Sequence, residues 1–311
     1  MKIIFIGGVK FSYEILKTML KNNWPVSVVF SYDDSMKEKI SDFVDLDKLC
    51  NEFNVKNIKI KKINDQEHIQ IIKETMPDII LVMGWSQLLN SEIISIPKIG
   101  IIGSHPTELP KYPGRAPIPW SILKGLKRSA LTFFFIDQGI DNGDILDQRF
   151  FELNSNDDAS SVYQKVENIG KEMILDNLTK LESGDYKRKK QNPSDTIENW
   201  QKREMKDGNI DWSKSSQEIH TLIRASTHPY PGAYTIFNDL KLIIWNAEFS
   251  NEQSSGIGKI MSIGSDNLNN FNVKIGTGEG IIILKNIGFN DNNEVSLSTV
   301  FTKDHVGSIL G

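Results

Sequence analysis

The feature that most limits what this chain can fold into is an alternation in its first half. Short apolar runs trade places with segments whose apolar residues recur every three or four positions. "KIIFIGG" reads as a buried strand ending in a glycine turn. "FSYEILKTMLKNN" follows, with Phe11, Ile15, Leu16, Met19 and Leu20 at helical spacing. "VSVVFS", "VKNIKI", "DIILVMG" and "IGIIGS" read as further strands, with "DLDKLCNEF" and "DQEHIQIIKETM" as helices among them. This rhythm predicts an α/β domain of Rossmann-like architecture, a parallel-rich sheet with helices on both faces. "ASSVYQKVENIGKEMILDNLTKLESG" predicts one long amphipathic helix.

The texture changes after about residue 184. The expected division is an α/β domain over 1–190, a polar linker over 191–212 and a smaller β domain over 213–311. "SKSSQEIHTLIRAS" reads as a helix with Ser213 as its N-cap. "GAYTIF", "LKLIIWNAEF", "GIGKIMSIG" and "FNVKIGTGEGIIILKN" then read as short strands between turns, which suits a small antiparallel barrel, OB-like in form, or a sandwich.

Composition narrows the partners. Lys plus Arg number 36 against 40 Asp plus Glu, a net charge of −4, so there is no broad electrostatic footprint for nucleic acid and none is expected as a partner. The single cysteine, Cys50, sits on the apolar stripe Leu46, Leu49, Cys50, Phe53 and reads as a core thiol. No disulfide can form within the chain, which fits a reducing, cytoplasmic setting. The apolar run at the N-terminus is too short for a signal or membrane helix, so no membrane partner is expected. "KRKK", residues 187–190, reads as a solvated helix end.

Chemistry concentrates in two stretches. "IGIIGSHPTELPKYPGRAPIPW", residues 99–120, sets His105 at the end of a predicted strand and packs five of the chain's eleven prolines around it. "DQGIDNGDILDQ" supplies Asp137, Asp141 and Asp144 in a glycine-containing turn. A His and an Asp on neighbouring strand ends can orient an imidazole and move protons in acyl transfer. The prolines stiffen the loop that carries His105 and Arg115. Arg115 suits either a clamp on a phosphate or carboxylate or a bond to loop carbonyls. "IGGVKFS" fails the G-x-G-x-x-G pattern; Gly7 and Gly8 mark a tight turn or a close backbone approach to a ligand.

With "HPTELPKYPGRAP", "DNGD" and the spacing from His105 to Asp141, the chain resembles the folate-dependent formyltransferases, most closely the sugar-nucleotide N-formyltransferases. "VMGWSQLL" resembles their cofactor-facing strand and loop, and "DGNIDW" with "IRASTHPYPGAYT" the entry to their C-terminal domain. The resemblance implies 10-formyltetrahydrofolate as donor, no metal, and catalytic roles for His105 and Asp141. It implies a cofactor pocket from Met83, Gly84, Trp85, Gln87, Leu88, Asp137 and Gly139. Trp85 suits a ligand platform or a core position. Gly8, Lys10, Ser104, Lys111 and Arg115 are implied to meet the acceptor, expected to be a nucleotide-linked 4-amino-4,6-dideoxyhexose for surface-polysaccharide synthesis. Two alternatives stand beside it: a methionyl-tRNA formyltransferase, and an inactive binding protein for sugar nucleotide or folate. Room is left for a homodimer. One position departs from the family, which places an Asn two residues before the His. Here that position is Gly103. A water, another N–H, a bent backbone or an impaired site are the readings it leaves.

Overall fold

The computed structural model describes residues 1–265, 271–289 and 293–311. The chain divides into two compact units. The first holds Met1–Pro117, Lys127–Leu153 and Tyr163–Lys202; the second holds Ile118–Leu126, Asn154–Val162 and Arg203–Gly311. Gln191–Lys202, within the stretch read above as a linker, therefore groups with the first unit.

The first unit is built on a seven-stranded sheet. Its strands are β1 (Ile3–Ile6), β2 (Val26–Tyr32), β3 (Lys56–Ile60), β4 (Ile79–Val82), β5 (Gly100–His105), β6 (Arg128–Phe135) and β7 (Ile145–Glu152), in the order β3-β2-β1-β4-β5-β6-β7. The strands from β3 to β5 run parallel; β6 and β7 turn antiparallel. Central parallel strands are covered on both faces, so they read as unbroken apolar runs. Every residue of β1 and β4 is accordingly buried. Helices α1 (Lys10–Lys21), α2 (Asp47–Glu52), α3 (Gln66–Thr75) and α4 (Ser91–Ile94) follow the parallel strands. In α1 the buried face is Phe11, Ser12, Ile15, Leu16, Met19 and Leu20, the predicted stripe with one serine in it. Cys50 is fully buried, and burial pushes its thiol up to about 12. Helix α5 (Pro117–Leu123) belongs to the second unit from Ile118 on, and α6 (Ala159–Ser183) to the first unit from Tyr163 on.

The "KRKK" run does not end a helix. α6 stops at Ser183, and Lys189 lies beyond it as an extended residue whose main chain exchanges two hydrogen bonds with Ile145 of β7. The Arg188 guanidinium lies 3.6 Å over the Phe135 ring and donates to the Ile99 carbonyl.

The second unit carries α7 (Ser216–Ser226) and an antiparallel sheet of β8 (Ala233–Phe237), β9 (Leu240–Ser250), β10 (Ile260–Ser265), β11 (Phe271–Gly276), β12 (Ile281–Phe289) and β13 (Asn293–Val295). The order is β10-β11-β12-β9-β8, with β13 paired to β12. Residues 307–311 link the two edges: Ile260 N–H donates to the Ser308 carbonyl, and Gly311 N–H donates to the Ile236 carbonyl. The α7 cap is Ser215, not Ser213. Its hydroxyl accepts from the Glu218 N–H while Glu218 accepts from the Ser215 N–H. Glu218 stands three residues after Ser215, the spacing a capping box requires. Ser213 is held instead by Asp211. Among the described residues no helix is long and apolar enough to cross a membrane.

Candidate active site

His105 is the last residue of β5, at the C-terminal edge where open α/β sheets take ligands. It is 5% exposed. Its Nε2 lies 3.0 Å from the Tyr112 carbonyl, an oxygen that only accepts, so in the neutral ring the proton sits on Nε2. Nδ1 is left with its lone pair, and it faces Asp141 Oδ2 at 3.7 Å. That separation is too long for a direct hydrogen bond. The gap itself is too narrow to hold another heavy atom, but a small donor seated beside the pair lies within hydrogen-bond distance of both.

Asp141 occupies a turn with φ +51°, a left-handed conformation that residues other than glycine rarely adopt and that Asp tolerates better than most. Its Oδ2 accepts from the Gly114 N–H at 3.0 Å, which ties the aspartate to the proline-rich loop. Gly114 has φ +115°, and a Cβ there would meet the Trp200 carbonyl oxygen at 2.3 Å, so no side chain fits. The structure thus brings His105 and Asp141 together as the spacing predicts.

The other implied residues fall into place unevenly. Met83 is fully buried and its carbonyl accepts from Ser12 Oγ. Gly84 takes φ +63°, where a Cβ would collide with Val9 Cγ2. The Trp85 ring stacks on Tyr32 at 3.8 Å, and its buried Nε1 has no partner. The Tyr32 hydroxyl accepts from the Ser86 N–H, and burial raises its pKa above the usual tyrosine range. The Gln87 side chain is spent on the neighbouring loop, donating to the Lys61 carbonyl and accepting from the Ile63 N–H. Leu88 is 65% exposed. Asp137 Oδ1 accepts from the Gly139 N–H and shapes its own turn.

On the acceptor side, Lys111 pairs with Glu108 at 2.7 Å. Lys10 lies 3.7 Å from Glu167, a buried carboxylate whose burial raises its pKa above the usual range. Ser104 is half-buried and points to the face of β5 opposite His105. Arg115 is exposed, and among the described residues its guanidinium makes no hydrogen bond or ion pair, while its N–H donates to the Trp200 carbonyl. The β1–α1 turn is closed on itself. Gly8 and Val9 N–H donate to Ser12 Oγ, Lys10 N–H to the Asp42 carbonyl and Phe11 N–H to the Tyr163 hydroxyl. Gly8 has no room for a Cβ because the Tyr32 ring stands 2.7 Å away. Among the described residues no group of His, Cys, Asp and Glu is placed to hold a metal.

Gly103 pairs with Phe134 across the regular β5–β6 ladder. A Cβ at 103 would come within 3.0 Å of Ile136 Cδ1 and Cγ1 and 3.1 Å of Phe134 Cζ. Apolar side chains therefore fill the place an Asn side chain would enter. Gly103→Asn is expected to force Ile136 aside, lowering stability by about 1–3 kcal/mol as overpacking does, and to lower kcat with it. Thermal melts and steady-state kinetics check this. A higher kcat with an unchanged melting temperature would mean that the site merely lacked a donor.

Comparison with known proteins gives this geometry a family. The pattern named Formyl transferase matches residues 1–178, and that named Formyl transferase, C-terminal domain, matches residues 202–305. The chain belongs to the formyl transferase family and is an enzyme of folate-dependent formyl transfer. It is 32% identical to the methionyl-tRNA formyltransferase of Clostridioides difficile (strain 630) over 291 residues, 92% of each chain. It is 33% identical to that of Caldanaerobacter subterraneus subsp. tengcongensis over 268 residues, 83% of this chain and 85% of the relative. A crystallised sugar 3N-formyl transferase, in the presence of dTDP and 5-N-formyl-THF, shares the fold with a TM-score of 0.62 at 24% identity, covering 92% of this chain and 97% of that one.

These relatives correct one expectation. The acceptor was read as a nucleotide-linked amino sugar, yet curated relatives 26–33% identical over most of the chain are named methionyl-tRNA formyltransferases. The sugar-directed enzyme is similar in fold at lower identity. The expectation that nucleic acid plays no part is weakened with it. Its physical basis was net charge, which sums over the whole surface and says little about one local contact.

Proposed function

We propose that this chain transfers the formyl group of 10-formyltetrahydrofolate to the amine of methionyl-tRNA, with His105 and Asp141 at the reacting amine. The observation that carries the chemistry is the 3.7 Å span between His105 Nδ1 and Asp141 Oδ2 at the sheet's ligand edge. An amine nitrogen seated beside the pair, off the line that joins the two atoms, lies within hydrogen-bond reach of both acceptors. The relatives' names support the acceptor.

The donor supplies a formyl carbon on a nitrogen that can leave. The Met83–Leu88 turn suits it: it follows β4 at the sheet's ligand edge, and exposed Leu88 offers apolar contact. His105 Nδ1 takes the proton the amine sheds as its new C–N bond forms. Asp141 stabilises the imidazolium that results. His105 then returns that proton to the departing nitrogen as the old C–N bond breaks. The Tyr112 carbonyl keeps Nε2 protonated throughout and so keeps Nδ1 the working atom. Position 103 contributes no oxyanion donor, a contribution typically worth about 2.7–4 kcal/mol where it exists.

The test is incubation with 10-formyltetrahydrofolate and methionyl-tRNA, followed by mass spectrometry of the released amino acid. Formylmethionine is expected from the charged tRNA and not from free methionine. Donor binding without formylation of the charged tRNA would overturn the acceptor assignment.

A further inference from the structure

We infer that the stretch Lys189–Trp200 is a clasp that sets the spacing of His105 and Asp141, with Gln191 the positioning residue for Asp141. The inference rests on the proposed catalytic reading of that pair.

One end of the stretch grips the aspartate's turn. Gln191 Nε2 donates to the Asp141 carbonyl at 2.8 Å and to the Gly143 carbonyl at 2.7 Å. A carboxamide nitrogen has two N–H donors, and here each takes one side of the turn. Next to it, Lys189 and Ile145 exchange main-chain hydrogen bonds at 2.8 and 2.9 Å. The turn needs such a hold. Asp141 is left-handed, a conformation that persists when its surroundings fix it. Gly143 also packs so close to the Phe135 carbonyl that a Cβ would fall 1.8 Å from its oxygen.

The other end grips the histidine's loop. Trp200 N–H donates to the Pro113 carbonyl and Trp200 O accepts from the Arg115 N–H, both at 2.9 Å. The Tyr112 ring stacks on Trp200 at 4.7 Å and 17°. Ile197 N–H donates to the Lys111 carbonyl. Tyr112 is the residue whose carbonyl holds His105 Nε2. The same short stretch therefore fixes the backbone behind both members of the pair, and Gly114 N–H on Asp141 Oδ2 ties the two ends together. The Gln191 bonds described here go to main-chain carbonyls, so it acts on Asp141 through the backbone.

The experiment compares Gln191→Met, which keeps length and loses both donors, with Gln191→Ala. Each is read by kcat, by KM for both substrates, by the pH profile of kcat and by thermal melting. The clasp predicts a kcat loss of about 10- to 100-fold, since a 1 Å misplacement can cost about 100-fold. It predicts KM changes within about twofold and a displaced pH profile. A purely structural residue would lower the melting temperature and leave kcat per folded molecule and the pH profile as they are. That result with Gln191→Met overturns the inference, whatever Gln191→Ala does. His105→Ala run alongside separates the two ideas. If His105→Ala is inactive while Gln191→Met matches wild type, the clasp fails; if His105→Ala turns over normally, the catalytic pair fails.

Discussion

His105→Ala is expected to abolish formyl transfer while the fold survives. The ring is nearly buried and its removal leaves a small cavity, but it is one residue at a strand end and the sheet's core lies elsewhere. What is lost is the group that takes and returns the proton. Removing a positioned acid–base side chain costs about 100- to 10,000-fold. Steady-state kcat at saturating substrates, with a melting curve beside it, is the measurement. A variant keeping more than a tenth of wild-type kcat would take His105 out of the chemistry.

Asp141→Asn is expected to show the second largest loss. The substitution is close to isosteric, and Asn accepts the left-handed backbone about as readily as Asp. Its amide oxygen can still receive the Gly114 N–H, so the turn should keep its shape. The negative charge that faces His105 Nδ1 is gone, and nothing then stabilises the imidazolium against the amine's proton. A fall in kcat of about 100-fold with near-constant KM is expected, in the range for an acid–base contribution. Full activity with an unchanged pH profile would remove Asp141 from the mechanism.

Much of this was legible in the sequence, for reasons that can be named. β1 and β4 announce themselves because strands buried on both faces carry no polar residue. The nearness of His105 and Asp141 was legible because one residue ends a recognisable strand and the other stands in a glycine-containing turn. β7 was not read as a strand, because "ILDQRFFE" mixes charged and apolar residues without clean alternation at an edge. Ser213 was taken as the α7 cap because several serines precede that helix, and the choice rests on Glu218. Gln191 was invisible: it sits in a polar stretch, and an amide bonded to two distant carbonyls leaves no periodic trace. The packing of Ile136 against Gly103 was equally hidden, since one missing side chain does not say what fills its place.

The β1–α1 turn has one more consequence. In many α/β proteins, free amides at this place form the receptor for a phosphate. In this chain the N–H groups of Gly7, Gly8, Val9, Lys10 and Phe11 have oxygen partners within the protein. A phosphate arriving there would have to displace Ser12, Asp42, Tyr163 and the Phe30 carbonyl together. The chain keeps the topology of a nucleotide-binding domain but has pre-empted its anion seat. What fills that seat is the protein's own oxygens, one hydroxyl from α1 itself and the others from distant parts of the chain.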